Sequence, residues 1–348
     1  VKSLFAHTVD VGIEHGTVLV LHHHESYEVT TFRTEGTYQD FRHPESVTFV
    51  RSLEEDLMRR DFTINALALN DQEEIVDYFN GIEDLERGII RCVGNPMERF
   101  NEDALRMMRA VRFAGQLGFV IEEDTFSAIR TLKANLERVA VERMKVEFEK
   151  MILSPNRQLA FNAFVESELY HSCPDFKEAK EALLTIGEFP LDAISITQAW
   201  ILFAYYEQFD SSTLRKVLKN WKSSNEQIST ILTGYQTLLA RLERDWDAFL
   251  AYDCPEDLSI EVEQLLPGIG RVEQLEEMKA VYQQLPIRSM KDIQIDGFGV
   301  KEALGLEKMG PIIGEVLQAL QSEILSGRLI NENAEIVSWI RNNFNENK

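Results

Sequence analysis

The change of pattern near residue 95 constrains this chain more than any other feature. Ahead of it, short segments alternate apolar and polar residues as half-buried strands do, first at residues 17–21 and 26–33. From Asn95 onward, apolar residues recur almost throughout at the spacing of amphipathic helices. The sequence therefore predicts an α+β protein in which a sheet-containing N-terminal part precedes an all-α remainder.

Length and composition narrow the class of protein. The 348 residues exceed one ordinary domain, so two or more domains are expected. No apolar run approaches the roughly 18 residues of a membrane span, and no cationic, apolar leader precedes the first strand, so we expect a cytoplasmic protein with no membrane partner. Cys92, Cys173 and Cys254 are odd in number and far apart, which indicates reduced, buried thiols.

The net charge of −22 argues against indiscriminate binding of polyanions. Cations are nevertheless dense at Arg59 and Arg60, over residues 106–112 and over residues 138–150, whereas acidic residues are in excess over residues 256–277. A local basic groove for nucleic acid is therefore compatible with an acidic chain.

The segment with the most specific chemistry is RFNEDALRMMRAVRF, residues 99–113. Asp103 and Arg106 (the reading pair) lie three residues apart in a predicted helix, where one carboxylate would stand beside one guanidinium. Cytosine and adenine present an amino donor next to a ring-nitrogen acceptor, whereas uracil and guanine present a carbonyl next to a ring N–H. A fixed pair would therefore accept C and A and repel U and G. An ordinary helical salt bridge is the alternative.

Arg109 and Arg112 continue the same three-residue step and would place cations beside the reading pair, where a triphosphate could lie. Because three residues fall short of a full turn, the row winds around the helix and Arg112 ends nearly opposite Asp103. For Arg112, a structural salt bridge and a phosphate contact are open alternatives.

A second cluster, RRDFTINA at residues 59–66, crowds basic, acidic and amide groups ahead of an apolar run. Followed about forty residues later by EDALRMMRAVRF, it resembles the class II tRNA nucleotidyltransferases, the bacterial CCA-adding enzymes. The likeness continues to the C-terminus. Residues 142–150 resemble the next motif of that family, and we expect them to brace the reading helix through salt bridges.

The resemblance implies a nucleotidyltransferase palm, incomplete in this chain, followed by helical neck, body and tail. We expect the head at residues 1–87, a nucleotide-reading neck at 88–153, a body at 154–255 and a tRNA-binding tail at 256–348. The implied reaction adds C, C and A to the tRNA 3′ end from CTP and ATP, with protein side chains as the template and Mg²⁺ as the cofactor. The acceptor and T arms of the tRNA would be the surfaces bound.

The resemblance also assigns roles residue by residue. The side chains that would bind the nucleotide fall into four roles: Arg60 on the triphosphate, Asp61 and Asn65 near the ribose, Asp103 and Arg106 on the base, and Arg109 and Arg112 on the phosphates.

Glu28 matches a third carboxylate near the family's metal pair, and the resemblance gives it a catalytic, metal-binding role. On its predicted strand it faces away from Tyr27 and Val29, and an ordinary exposed strand residue is the alternative. The family's Gly-Gly-x-x-x-Arg-Asp turn and its metal-binding Asp-x-Asp pair do not occur in the first sixty residues. We therefore expect an N-terminal segment with the main metal ligands to be absent from this chain.

Two other groups look like metal ligands and are expected to be structural. Residues 22–24 are three consecutive histidines, which a strand would point to alternate faces, so a hairpin rim is the better interpretation. The single Asp-x-Asp, at Asp245 and Asp247, lies in a helical pattern without the glycine turn.

Residues 34–44 are polar and turn-rich, which indicates a mobile loop. In the family, a loop at this place is associated with the switch from C to A addition, and relatives that add only two cytidines have it shortened. Here it is complete, which favours full CCA addition. The alternatives are a CC-adding, A-adding or poly(A) polymerase relative and, if the chain truly starts at Val1, a non-catalytic tRNA-binding module. The oligomeric state is not predicted.

Overall fold

The structure is a computed structural model that describes residues 1–12, 16–35 and 47–344. The chain forms two compact units: the first comprises Val1–Ala199 with Lys216–Ser223, and the second Trp200–Arg215 with Ser224–Lys348. This division falls inside the predicted body, and the four-part arrangement of head, neck, body and tail stays a prediction. None of the helices in the described ranges combines the length and the apolarity needed to cross a bilayer.

In the described ranges, every strand lies ahead of residue 122. The strands are β1 (Thr8–Gly12), β2 (Thr17–His22), β3 (Glu25–Thr30), β4 (Arg33–Glu35), β5 (Val47–Phe49), β6 (Leu67–Leu69), β7 (Ile75–Asp77), β8 (Ile89–Ile90) and β9 (Val120–Ile121). Most of the remaining chain is helical, so the predicted α+β class is confirmed.

The helices begin before the strands end and continue to the last described residue. They are α1 (Leu53–Met58), α2 (Gly81–Arg87), α3 (Pro96–Glu102), α4 (Leu105–Leu117), α5 (Glu123–Leu132), α6 (Val141–Ile152), α7 (Arg157–Glu166), α8 (Lys180–Glu188), α9 (Ile196–Tyr206), α10 (Ser211–Asn220), α11 (Asn225–Glu243), α12 (Ala248–Asp253), α13 (Glu256–Leu265), α14 (Leu275–Gln283), α15 (Gly297–Ala303), α16 (Ile312–Leu325) and α17 (Asn333–Phe344).

An antiparallel sheet of order β1-β2-β3 opens the first unit. His23 and His24 connect β2 to β3 with φ angles of 49° and 68°, as a two-residue hairpin turn requires, so the predicted hairpin rim is confirmed. The predicted strand over residues 26–33 is present as β3, but its predicted end is wrong, because β3 ends at Thr30 and Arg33 begins β4.

The predicted loop over residues 34–44 falls mostly outside the described residues. Thr34 and Glu35 belong to β4, which pairs with β5 in antiparallel register. For these two residues the loop prediction is wrong, because their backbones join a strand ladder.

The start of α2 is fixed by backbone contacts. Asp77 accepts hydrogen bonds from the backbone N–H groups of Phe79 (3.1 Å), Gly81 (2.9 Å) and Ile82 (3.0 Å). Burial opposes the charged form, but these bonds outweigh it and hold the pKa of Asp77 below its usual range. A Cβ placed on Gly81 would lie 2.3 Å from the carbonyl oxygen of Thr63, so this close approach of two backbones requires glycine.

Helix α4 forms the centre of the first unit's helical core. Its buried residues include Met107, Met108 and Val111, and the helix packs against α6 and α7. Hydrophobic side chains at helical spacing bury one face of α4, while its arginines reach the other segments of the unit.

Buried apolar side chains in the described part of the second unit include the members of two clusters. One surrounds Val316 and Leu320 of α16, and the other contains Trp246 and Met278. Asp247 lies between α11 and α12, where its carboxylate accepts a hydrogen bond from the Leu250 N–H at 2.8 Å. The expected structural role of this Asp-x-Asp segment is confirmed as a helix cap, although its predicted place within a helix is wrong.

Gly81→Ala should lower the free energy of unfolding by about 2 kcal/mol, because the new Cβ would force two backbones apart. Chemical denaturation measures the change. Gly314→Ala in α16 is the matched control, since a Cβ there meets nothing within 4 Å. Equal stability of the two variants would contradict the steric argument.

Candidate nucleotide-binding site

A helix break separates the two members of the reading pair. Helix α3 ends at Glu102 and α4 begins at Leu105, while Asp103 is extended, with φ −136° and ψ 102°. Its Oδ1 accepts a hydrogen bond from the Leu105 N–H at 3.1 Å. The expectation of one continuous helix is therefore wrong, because a short acidic side chain that bonds nearby backbone competes with helical hydrogen bonding.

Asp103 is held by Arg143 of α6. Nη2 of Arg143 lies 2.7 Å from Oδ2 and Nη1 lies 3.3 Å from Oδ1, which is a two-pronged carboxylate contact. The predicted bracing by residues 142–150 is confirmed for this contact. Sequence analysis did not single out Arg143, although it lies inside the bracing motif.

Arg106 bonds different partners. Its Nη1 donates to Oε2 of Glu102 at 2.8 Å, and its Nη2 donates to the carbonyl oxygen of Arg59 at 2.9 Å. Only 8% of the residue is exposed. The guanidinium is therefore anchored to the start of the RRDFTINA segment, and the acceptor and the donor of the reading pair are positioned by separate contacts.

The carboxylate of Asp61 joins the two predicted motifs. Oδ2 accepts hydrogen bonds from Arg109, with Nε at 2.7 Å and Nη2 at 2.6 Å. Oδ1 accepts bonds from the Phe62 N–H at 2.9 Å and from Nδ2 of Asn65 at 3.1 Å. Three of the predicted nucleotide-binding residues thus meet in one cluster, and Asp61 fixes the other two.

Arg60 and Arg112 differ sharply in exposure. The Arg60 side chain is 44% exposed and can reach a ligand, while Arg112 is 6% exposed. Nε of Arg112 lies 2.9 Å from Oε2 of Glu147, and its guanidinium carbon lies 3.5 Å from the ring centre of Phe113. Of the two alternatives for Arg112, the structure contains the salt bridge.

Glu28 lies on β3, opposite Leu19 of β2, and the whole strand is exposed. Among the residues that the structure describes, no group of three or more His, Cys, Asp or Glu side chains is placed to hold a metal ion. Glu28 by itself therefore does not form a metal site here, and its metal-binding role stays a prediction.

The three cysteines are free and buried, as expected. Burial raises the pKa of the Cys92 thiol to about 12, although a hydrogen bond with Thr125 and the charge of Arg106 act in the opposite direction. Cys92 is therefore a protonated, packed thiol and offers no nucleophile to the site.

The charged groups of the site are matched with opposite charges. Arg106 pairs with Glu102 and Arg109 with Asp61, while Asp103 pairs with Arg143. This arrangement holds guanidinium groups in fixed directions near the Asp103 carboxylate. Such groups can donate to phosphate oxygens and to the edge of a base.

Three sequence families match parts of the chain. Residues 1–91 match the family described as "Poly A polymerase head domain", and residues 118–180 match "Probable RNA and SrmB- binding site of polymerase A". Residues 192–340 match the family of tRNA nucleotidyltransferase domain 2. Together these matches cover most of the strand-containing N-terminal part and most of the helical remainder of the chain.

Whole proteins are also similar. The CCA-adding enzyme of Enterococcus faecalis is 44% identical over 342 residues, covering 98% of this chain and 84% of that protein. The crystal structure of the Bacillus stearothermophilus CCA-adding enzyme in complex with CTP has a TM-score of 0.87 and 34% identity, covering 98% of this chain and 85% of that one. A Thermotoga maritima CCA-adding enzyme complexed with tRNA, 20% identical with a TM-score of 0.59 over 97% of this chain and 82% of its own, shares the fold.

Glu147→Gln should lower the free energy of unfolding by about 3 kcal/mol, because it leaves the buried Arg112 guanidinium without its counter-charge. Denaturant unfolding measures this. The control is Glu83→Gln, which removes the exposed pair with Arg87 and should change stability little. Similar losses in the two variants would contradict the bracing role of Glu147.

Proposed function

The chain belongs to the family of CCA-adding enzymes, and on that premise we propose how its own residues carry out the reaction. The enzyme transfers CMP twice and AMP once, from CTP and ATP, to the 3′ end of tRNA. The observation that carries this function is the 44% identity with a CCA-adding enzyme across 98% of the chain. A cytoplasmic location, where tRNA is processed, is part of the proposal.

We propose that Asp103 and Arg106 read the base. The Asp103 carboxylate would accept the amino group of cytosine or adenine, and the Arg106 guanidinium would donate to the neighbouring ring nitrogen. The two-pronged contact from Arg143 supports this role, because it fixes the direction of the Asp103 oxygens. The Arg59 carbonyl oxygen accepts a hydrogen bond from Arg106 and so fixes the direction of that guanidinium.

Arg60 and Arg109 are the proposed contacts to the triphosphate. Arg60 is half-exposed, and the Arg109 side chain is 33% exposed while Asp61 holds one side of it. Asp61 and Asn65 are proposed to lie near the ribose. Because both oxygens of Asp61 already accept hydrogen bonds, its main effect would be to orient Arg109 and Asn65. Arg112 would support the phosphates only indirectly, by bracing α4 through Glu147.

Enzymes of this family use a divalent metal ion, and we propose Mg²⁺ with Glu28 as one ligand. Such an ion, when bound, neutralises charge on the triphosphate and assists attack by the 3′ hydroxyl. The described residues do not form a carboxylate cluster around Glu28, so the steps proposed here concern nucleotide binding and orientation alone.

The reaction is tested by incubating the full-length protein with tRNA that ends at the discriminator base. CTP and ATP are supplied separately and together, and the products are sequenced. Products that end in CC with CTP alone and in CCA with both nucleotides are expected. Repeated A addition would indicate a poly(A) polymerase, and products that stop at CC would indicate a CC-adding enzyme.

Asp103→Ala or Arg106→Ala should raise incorporation of UTP and GTP relative to CTP. The loss of discrimination can reach about 10⁴-fold, because a site built to bond a base edge discriminates through paired polar groups. Competition assays with mixed nucleotides measure the ratio. Arg328→Ala, which removes an exposed arginine paired with Glu323 in the second unit, is the control. Unchanged selectivity with a lowered melting temperature would leave the reading pair a purely structural feature.

A further inference from the structure

Asp56 is a buried carboxylate to which sequence analysis gave no role. It lies in α1, and only 4% of the residue is exposed. Its Oδ1 accepts hydrogen bonds from the Arg33 backbone N–H at 3.1 Å and from Arg59, with Nε at 3.0 Å and Nη2 at 2.9 Å. Its Oδ2 lies 3.7 Å from Nη2 of Arg60. One carboxylate thus hydrogen-bonds the first residue of β4 and Arg59, and it forms a longer ion pair with Arg60.

The contact with Asp56 leaves the Arg60 guanidinium accessible from solvent. Arg60 is 44% exposed, whereas Asp56 lies beneath it with a 6% exposed side chain. Nη1 of Arg60 also approaches the carbonyl oxygen of Asn65 at 3.5 Å, the outer limit of a hydrogen bond. The carboxylate below therefore restricts a long, flexible side chain that otherwise has few contacts.

The Asp56 carboxylate has two physical effects, which would change nucleotide affinity in opposite directions. As a negative charge near the binding surface, Asp56 repels a triphosphate, so removing it should tighten binding. As an anchor, it reduces the conformational freedom that Arg60 would lose on binding, so removing it should weaken binding. The sign of the change in nucleotide affinity therefore separates the two effects.

We propose that Asp56 is a positioning residue for nucleotide binding, which acts by holding Arg60 toward the triphosphate. The inference rests on the proposed triphosphate contact of Arg60. Because CTP and ATP share the triphosphate, Asp56 affects both nucleotides equally and leaves the choice of base to Asp103 and Arg106.

The test measures KM and kcat for CTP and for ATP in Asp56→Asn, Arg60→Gln and the double variant of the full-length protein. Asp56→Asn should raise KM for both nucleotides by about threefold, because it removes a partly exposed ion pair with Arg60. Its kcat and its preference for CTP over UTP should stay close to wild type. The double variant should have the KM of Arg60→Gln alone, since Asp56 acts through Arg60.

Glu263→Gln is the matched control, because Glu263 is a fully buried carboxylate paired with Arg241 in the second unit. It should lower the melting temperature without raising KM for either nucleotide. Should Asp56→Asn not fold, Asp56→Glu replaces it. The longer side chain keeps the charge but displaces the oxygens, so a raised KM for both nucleotides is again expected.

The outcomes separate the inference from the function on which it rests. An unchanged or lowered KM in Asp56→Asn, while Arg60→Gln raises KM, overturns the role of Asp56 alone. An unchanged KM in Arg60→Gln overturns the triphosphate contact, and CCA addition by the wild-type protein stands independently. A KM in the double variant above that of both single variants would show that Asp56 acts by a route other than Arg60.

Discussion

The ion pair between Asp61 and Arg109 joins the RRDFTINA segment to α4, the two segments proposed to bind the nucleotide. Asp61 follows α1, Arg109 lies in α4, and the Asp61 side chain is only 9% exposed. Removing Arg109 would leave the nearly buried Asp61 carboxylate without its counter-charge, which costs several times more than an exposed pair contributes. The placement of α4 against the RRDFTINA segment is therefore set by charge pairing as well as by the packing of Met107 and Met108.

Two other buried charges in the described residues are also held by several polar partners. In the second unit, Glu263 accepts hydrogen bonds from Nε of Arg241 and from Nε1 of Trp246, each at 2.7 Å. In the first, Arg157 donates to the carbonyl oxygens of Phe189 and Leu191, and burial lowers its pKa. These networks fix the directions of the side chains, because a buried polar atom that turned away would lose its hydrogen-bond partner. In the candidate nucleotide-binding site, carboxylates fix the directions of arginine side chains in the same way, but these arginines are more exposed.

The sequence predicted those features of the fold and of the candidate site that depend on residues close together in the chain. The histidine hairpin and the bracing of Asp103 from α6 follow from strand alternation and from a recognisable motif. The break at Asp103 was missed because helical periodicity persists on both sides of it, while the bond to the Leu105 N–H is invisible in a pattern of apolar residues. The role of Asp56 was missed for another reason. Its pairs with Arg59 and Arg60 have the ordinary i,i+3 and i,i+4 spacing of exposed helical salt bridges. Its burial and its bond to the Arg33 N–H involve positions distant in sequence, which no spacing rule reaches.

The extended conformation of Asp103 has a geometrical consequence. In an unbroken helix, the separation of two side chains three residues apart is set by helical pitch and cannot be tuned. Here Asp103 is tied to α6 through Arg143, and Arg106 is tied to the end of α1 through a carbonyl oxygen. The distance between acceptor and donor thus depends on two separate contacts, one with α6 and one with the end of α1. The separation of the two side chains proposed to read the base can therefore change by rotation about the backbone of Asp103 and Ala104, which one continuous helix would not allow.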